Sequence, residues 1–286
     1  MECIWEAQAT TGEGTIYSAR DEVLYWVDIP GKRLFRLPLS GGERATWQFD
    51  EQIGWVVERA SGGLIAGLES GLHHVSLDPF TVTPLLNPEP DMPGNRMNDA
   101  CVDRQGRIWA GTMDNAEVEP TGSLYRIDAE LECLTVDSGY TVSNGPVFNP
   151  REDRLYHTDT LAREIYLFDV GSDGRLANKR LFVKFAEDDG YPDGMTMDVD
   201  GCLWVAHWGG ARVTQFDAQG LRLRSIELPA HNVSNVCFGG ASLDRMFASS
   251  ARKGLTPQQL AEKPLGGGLF EFDPGARGLP ATAFAG

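Results

Sequence analysis

Three features of this 286-residue chain predict an all-β fold, a six-bladed β-propeller: one strand signal recurs six times, a second follows each copy, and long helical patterns are missing. The recurring signal is a polar turn, an apolar pair, then small or polar residues. It reads Val23-Leu24-Tyr25-Trp26, Gly63-Leu64-Ile65-Ala66 and Arg107-Ile108-Trp109-Ala110 in the first half. The second half holds Arg154-Leu155-Tyr156-His157, Cys202-Leu203-Trp204-Val205 and Arg245-Met246-Phe247-Ala248. Anchors at 24, 64, 108, 155, 203 and 246 lie 40, 44, 47, 48 and 43 residues apart. A period of that length, filled with short strands, is that of a propeller blade.

The second signal reads Leu34-Phe35-Arg36-Leu37, Leu72-His73-His74-Val75 and Leu124-Tyr125-Arg126-Ile127 in the first three repeats. Ile165-Tyr166-Leu167-Phe168, Val213-Thr214-Gln215-Phe216 and Leu269-Phe270-Glu271-Phe272 complete it. Apolar and polar residues alternate in most copies, the period of a strand with one buried face. Blades packed side by side bury Trp26, Trp109 and Trp204, and 33 glycines serve the turns. The one helical stretch, Thr256 to Lys263, is about two turns long. The Pro-rich stretch Asn87 to Pro93 falls inside a repeat, so it reads as a long loop at one end of the ring. Residues 1–286 then form a single domain. A β-sandwich with coincidental spacing is the alternative.

Composition narrows the partners. Acidic residues number 41 against 25 basic ones, a formal charge of −16. Nucleic-acid binding needs a basic surface, and anionic lipid repels an acidic one, so neither partner is expected. Small molecules and metal ions fit better, on a monomer or weak homo-oligomer. Five scattered cysteines without a C-x-x-C pair read as reduced, buried thiols. No signal peptide and no apolar run of membrane-spanning length is visible, which makes a cytoplasmic location the expectation.

The familiar nucleotide and nucleophile motifs are absent: no P-loop, no G-x-G-x-x-G, no G-x-S-x-G and no H-E-x-x-H. Asp198-Val199-Asp200-Gly201 reads as a hairpin turn, Glu187-Asp188-Asp189 as a solvated loop and His207 as a structural histidine. Polar residues in glycine- and proline-containing turns ahead of the anchors are more telling. Glu13 lies in Gly12-Glu13-Gly14, and Arg96, Asn98 and Asp99 in Asn95-Arg96-Met97-Asn98-Asp99. Asn144 lies in Ser143-Asn144-Gly145-Pro146, and Asp193 in Pro192-Asp193-Gly194-Met195. Each stands 8–15 residues before its anchor, room for one short inner strand. Equivalent blades would bring these side chains to one level of the central channel. Glu13, Asn144 and Asp193 would there form an all-oxygen set for a divalent cation. Asn144-Gly145 and Asp193-Gly194 are also turn dipeptides, so shaping the backbone is the competing reading.

These motifs, with Gly106-Arg107-Ile108-Trp109-Ala110-Gly111-Thr112-Met113, resemble the SMP-30/gluconolactonase/regucalcin family of six-bladed propellers from Glu13 to about Asp273. The resemblance implies one divalent metal at the top of the channel, held by Glu13, Asn144 and Asp193. Oxygen ligands suit Ca, Mg or Mn, and the family is also known for accepting Zn or Fe. Arg96 and Asn98 match positions that contact sugar hydroxyls. A further substrate glutamate precedes the Gly122-Ser123-Leu124-Tyr125 strand; Glu119 and Glu117 are the candidates, neither at the family's spacing. Thr15-Ile16-Tyr17 departs from the residues usual beside the Gly-Glu-Gly turn.

The activity implied is a metal-dependent sugar lactonase that hydrolyses a glucono-, galactono-, xylono- or arabinonolactone to its aldonic acid. Asp193 would be both ligand and catalytic base. Asn87 to Pro93 and Asp114 to Thr121 would read the sugar. A regucalcin-like cation-binding regulator, a phosphotriesterase-like hydrolase and a plain scaffold propeller are the alternatives.

Overall fold

The computed structural model describes residues 1–286. The N-terminal strand β1 (Glu2–Trp5) leaves its neighbours in sequence and joins the last sheet. Five blades follow in order, each a four-stranded antiparallel sheet whose first strand is innermost. Blade I is β2 (Gly12–Ser18), β3 (Val23–Asp28), β4 (Arg33–Pro38) and β5 (Ala45–Gln48); blade II is β6 (Ile53–Glu58), β7 (Leu64–Leu68), β8 (Gly71–Leu77) and β9 (Phe80–Leu86). Blade III is β10 (Asn95–Val102), β11 (Ile108–Asp114), β12 (Gly122–Ile127) and β13 (Cys133–Tyr140). Blade IV is β14 (Ser143–Phe148), β15 (Arg154–Asp159), β16 (Glu164–Val170) and β17 (Leu176–Lys184). Blade V is β18 (Tyr191–Met197), β19 (Leu203–Trp208), β20 (Arg212–Phe216) and β21 (Arg222–Glu227). Blade VI takes β22 (Asn232–Gly239), β23 (Arg245–Ala251) and β24 (Leu269–Phe272) from one end of the chain and β1 from the other. That pairing of the chain's two ends closes the ring.

The two strand signals are the second and third strands of every blade. They were legible because both faces pack between blades. The core accordingly divides into six apolar clusters, one for each seam between neighbouring blades. Trp26, Trp109 and Trp204 are fully buried there, as expected. Asp103 and Asp198 turn two of the first hairpins, each accepting two backbone N–H groups and the indole N–H of the blade's tryptophan. The expected hairpin turn at Asp198 is therefore present. The only α-helix, α1 (Pro257–Glu262), is capped by the Thr256 hydroxyl. No helix is long and apolar enough to cross a membrane.

Every inner strand carries a bulge against its second strand, near its start. Beyond the bulges the registers agree: Ile16, Val57, Cys101, Val147, Thr196 and Cys237 each face the residue after their blade's anchor. Three residues before them stand Glu13, Gly54, Asn98, Asn144, Asp193 and Ser234. A bulge bends the strand and re-aims a side chain. Of these six, Glu13, Asn98, Asn144 and Asp193 line one cavity in the channel.

Two readings are corrected. Glu187–Asp189 forms a 3-10 turn, and Asp189 is buried against Arg212 and Arg222 instead of lying in a solvated loop. Among the cysteines, all free, only Cys237 is fully buried; Cys3, Cys101, Cys133 and Cys202 are partly exposed.

Candidate active site

The channel holds two cavities. The upper one, about 500 Å³, opens at the end where the inner strands begin. Glu13, Asn144 and Asp193 line it together with Arg96, Asn98, Asn115, Glu117 and Lys253. The lower cavity, about 200 Å³, is mostly apolar and is closed by Leu279, Ala281 and Thr282 of the C-terminal segment. Its ceiling includes Asp99 and Asn235, one residue beyond the bulge positions of blades III and VI.

Glu13, Asn144 and Asp193 are only 6%, 3% and 4% exposed, so they form the floor and not the rim. The direction of the Asn144 amide follows from its neighbours. The Thr160 hydroxyl donates its single proton to the Pro192 carbonyl at 2.8 Å, so toward Asn144 it can only accept. Asn144 Nδ2 donates an N–H to the Thr160 oxygen at 2.8 Å, which turns Oδ1 away from Thr160. Oδ1 accepts from Asn98 Nδ2 at 3.0 Å, and Asn98 Nδ2 also reaches the Ser143 carbonyl at 2.6 Å. Arg96 completes the chain: Nη1 donates to Asn98 Oδ1 (2.6 Å) and the Met97 carbonyl, and Nε to Asn115 Oδ1 (3.1 Å). Its Nη2 has no protein acceptor.

Burial dominates the electrostatics. It pushes the Glu13 carboxyl up to about 8, helped by the nearby Asp99 charge and opposed by the Gly14 N–H and the Asn235 amide. Asp193 is raised well above the carboxylate range by burial and then by Glu13 and Asp99. Asp99 rises to about 7 through burial, although it accepts the N–H groups of Ala100 and Gly145. Desolvation lowers Arg96 to about 10, so it stays charged at neutral pH. Acids that repel one another in a buried floor favour a cation there.

No three His, Cys, Asp or Glu side chains gather into a metal-ligand group; the predicted set has two carboxylates, with an amide as its third donor. That set fits a hard divalent ion, because its oxygens are buried and neither carboxylate is in an ion pair, although Arg96 attracts both. Arg96 and Asn98 border the same cavity as these three residues, and Asn98 contacts Asn144. Glu119 is not brought there: it is exposed, and its backbone N–H caps Asp114. Glu117 lines the cavity instead, paired with Lys253. Asp114 to Thr121 contributes Asn115 and Glu117 to the wall, whereas Asn87 to Pro93 does not line it. That second loop is pulled aside by Glu89, which accepts from Asn95, Thr112 and Tyr125. His207 is half satisfied: Nδ1 meets the Asp189 carbonyl at 2.8 Å and Nε2 has no partner.

Sequence reasoning missed Thr160, Asn115 and Lys253. Thr160 and Lys253 follow second strands and Asn115 opens a loop, so none carries a strand signal. They could have been sought as polar residues just past each anchor strand.

The family model of the SMP-30/gluconolactonase/LRE-like region matches residues 11–252. A 6-deoxy-6-sulfogluconolactonase of Pseudomonas putida is 33% identical over 287 residues, covering 100% of this chain and 99% of its own. Regucalcin of Oryctolagus cuniculus is 33% identical over 297 residues, covering 100% and 98%. Among solved structures, a luciferin-regenerating enzyme superposes with a TM-score of 0.93 at 26% identity, covering 99% of this chain and 98% of that one.

Proposed function

The chain belongs to the SMP-30/gluconolactonase/LRE-like family, and from that membership we propose that it is a metal-dependent lactonase opening a sugar lactone to its aldonic acid. One observation carries the reading: a cavity of about 500 Å³ stands above two buried carboxylates and an oriented amide oxygen, with a charged arginine in its wall. A site that only stored a cation would need no such space above the ligands. The lactonase name of the Pseudomonas relative supports the same reaction class.

Glu13, Asn144 and Asp193 would hold one divalent ion. Bound there, the ion would polarise the lactone carbonyl and favour ionisation of water. Arg96 presents Nη2 to a ring hydroxyl while its other nitrogens hold Asn98 and Asn115. Glu117, from the same loop as Asn115, accepts from a second hydroxyl. Asp193 takes the proton of the attacking water and returns it to the ring oxygen as the bond between that oxygen and the carbonyl carbon breaks. Burial raises its basicity and a bound cation lowers it, so the two influences oppose one another. A modest base is enough, because sugar lactones already hydrolyse readily. The aldonate product is negative, and the chain's overall charge of −16 favours its departure. Glucono-, galactono-, xylono- and arabinonolactones form the substrate class.

The second reading is a regucalcin-like cation-binding protein without catalysis, favoured by the likeness to rabbit regucalcin. Acid release from a panel of aldonolactones separates the two. The lactonase reading expects release by the metal-loaded protein, loss on chelation and loss in Asp193→Ala. Metal binding without acid release from any aldonolactone would leave the regulator.

A further inference from the structure

Glu117 and Lys253 form an ion pair across the open end of the upper cavity. Glu117 comes from the loop after β11 in blade III and Lys253 from the segment after β23 in blade VI. Inner strands touch in the cyclic order I to VI and back to I, which sets blades III and VI opposite one another. The pair therefore spans the mouth as a bar instead of bordering it.

Both feet of the bar are fixed. Asp114 accepts the backbone N–H groups of Ala116, Val118 and Glu119, and the Asn115 N–H meets the Gly94 carbonyl at 2.9 Å. Glu117 itself is held at φ +60, a conformation that a residue with a side chain adopts only when its surroundings impose it. Across the mouth, the Lys253 N–H donates to the Thr10 carbonyl at 2.8 Å, and its carbonyl accepts from Asn232 Nδ2 at 3.0 Å. Backbone on each side is pinned, so the two side chains start from fixed points on opposite sides of the mouth.

Depth gives the bar its meaning. The floor residues are at most 6% exposed, whereas the Lys253 and Glu117 side chains are 46% and 36% exposed. A lactone whose carbonyl lies on the floor directs its far end at the bar. Resting on the lactonase reading above, we infer that the Glu117–Lys253 pair is a size-selecting crossbar: it admits single-sugar aldonolactones and excludes those extended by a glycosyl unit. The specificity determinant is Lys253, since Glu117 also faces the sugar. Because both side chains are partly exposed, the pair weakens in salt.

The test compares kcat/KM for glucono-δ-lactone with that for a disaccharide aldonolactone, cellobionolactone, in wild type, K253A and K253R. Wild type and K253R are expected to prefer the single-sugar lactone, and K253A to shift that ratio toward the disaccharide by about tenfold. Raising sodium chloride to about 1 M should move the wild-type ratio in the same direction and leave K253A unmoved, a response that a merely structural lysine would not give. If the single-sugar lactone is opened but the ratio is the same in wild type and K253A, the crossbar is overturned alone. If wild type opens neither lactone, the underlying reading falls and the crossbar with it.

Discussion

Thr160 Oγ1 donates to the Pro192 carbonyl at 2.8 Å, and this bond joins the blade that carries Asn144 to the one that carries Asp193. It also sets the proton direction at Asn144, because a hydroxyl that has given its proton away can only accept from the amide. Replacing Thr160 by valine keeps the shape and removes the acceptor. The Asn144 amide then keeps only the Asn98 Nδ2 contact to its Oδ1, and with one of its two orienting bonds gone its nitrogen competes more readily with its oxygen for the floor. Outer partners of this kind hold metal affinity to within about 10–100-fold. Isothermal titration of folded T160V with Mn or Ca is expected to show a loss in that range, alongside a stability cost of about 1–3 kcal/mol from the lost buried bonds. Unaltered affinity would mean that the Asn98 contact alone orients the Asn144 oxygen.

Arg96 acts as a fork in three directions, toward Asn115, the Met97 carbonyl and Asn98. Lysine keeps the charge but has neither the planar fork nor its reach. Asn98 then loses the donor to Oδ1, and the hydroxyl contact proposed for Nη2 disappears. Charge-assisted hydrogen bonds are worth about 1.5–3 kcal/mol, which corresponds to roughly 10–100-fold in kcat/KM. R96K is expected to lose that factor on aldonolactones, mostly through KM, while binding the metal nearly as well as wild type. A loss of metal affinity as large as the loss of activity would instead make Arg96 a support of the metal floor.

The fold was legible because the second and third strands of each blade pack apolar residues on both faces, and six such pairs at one spacing leave little freedom. Glu13, Asn144 and Asp193 could be placed from the same regularity: each starts an inner strand, and the shared bulge sets them at one level. Outer strands such as β21, almost wholly exposed, carry no such mark. The closure by β1 was equally silent, since nothing in Glu2-Cys3-Ile4-Trp5 specifies a partner some 265 residues away. Glu119 and Glu117 could not be separated because loop conformation, set by Asp114 and by the positive φ of Glu117, decides which one faces the cavity. The path of the C-terminal segment depends on contacts with four blades that have no local pattern.

That segment makes a separate prediction about stability. Leaving blade VI, it meets Val199 and Leu243, passes beneath the lower cavity and ends against Glu58, Ala60 and Gly106. Phe284, 1% exposed, fills the seam between blades II and III with Trp55, Met97 and Tyr125. Truncating a buried phenylalanine to alanine costs about 3–5 kcal/mol. F284A should lower the midpoint of urea unfolding accordingly, yet retain activity in the folded protein, because the site lies at the opposite end of the channel. Stability within about 1 kcal/mol of wild type would show that Phe284 does not anchor the segment.

Acid stability depends on two buried imidazoles. Burial lowers His157 to about 3 and His207 to about 4. Each is neutral in the folded chain near pH 5, whereas in the unfolded chain each titrates at about 6.5. Below that value the unfolded state binds protons that the folded state refuses, so stability falls as pH drops from about 6.5 toward the folded values. The slope is about 1.4 kcal/mol per pH unit for each histidine once pH is well below 6.5. Raised carboxyls such as Asp99 act in the opposite sense, taking up protons in the folded state at a higher pH than in the unfolded one. Wild type alone therefore gives only the sum. His207→Gln removes one imidazole, and the difference between the two proteins isolates it. Urea unfolding at pH 7, 6 and 5 should show the stability difference shifting in favour of H207Q by about 1–2 kcal/mol over that interval. A difference that does not change with pH would mean that His207 accepts a proton inside the fold as readily as in water.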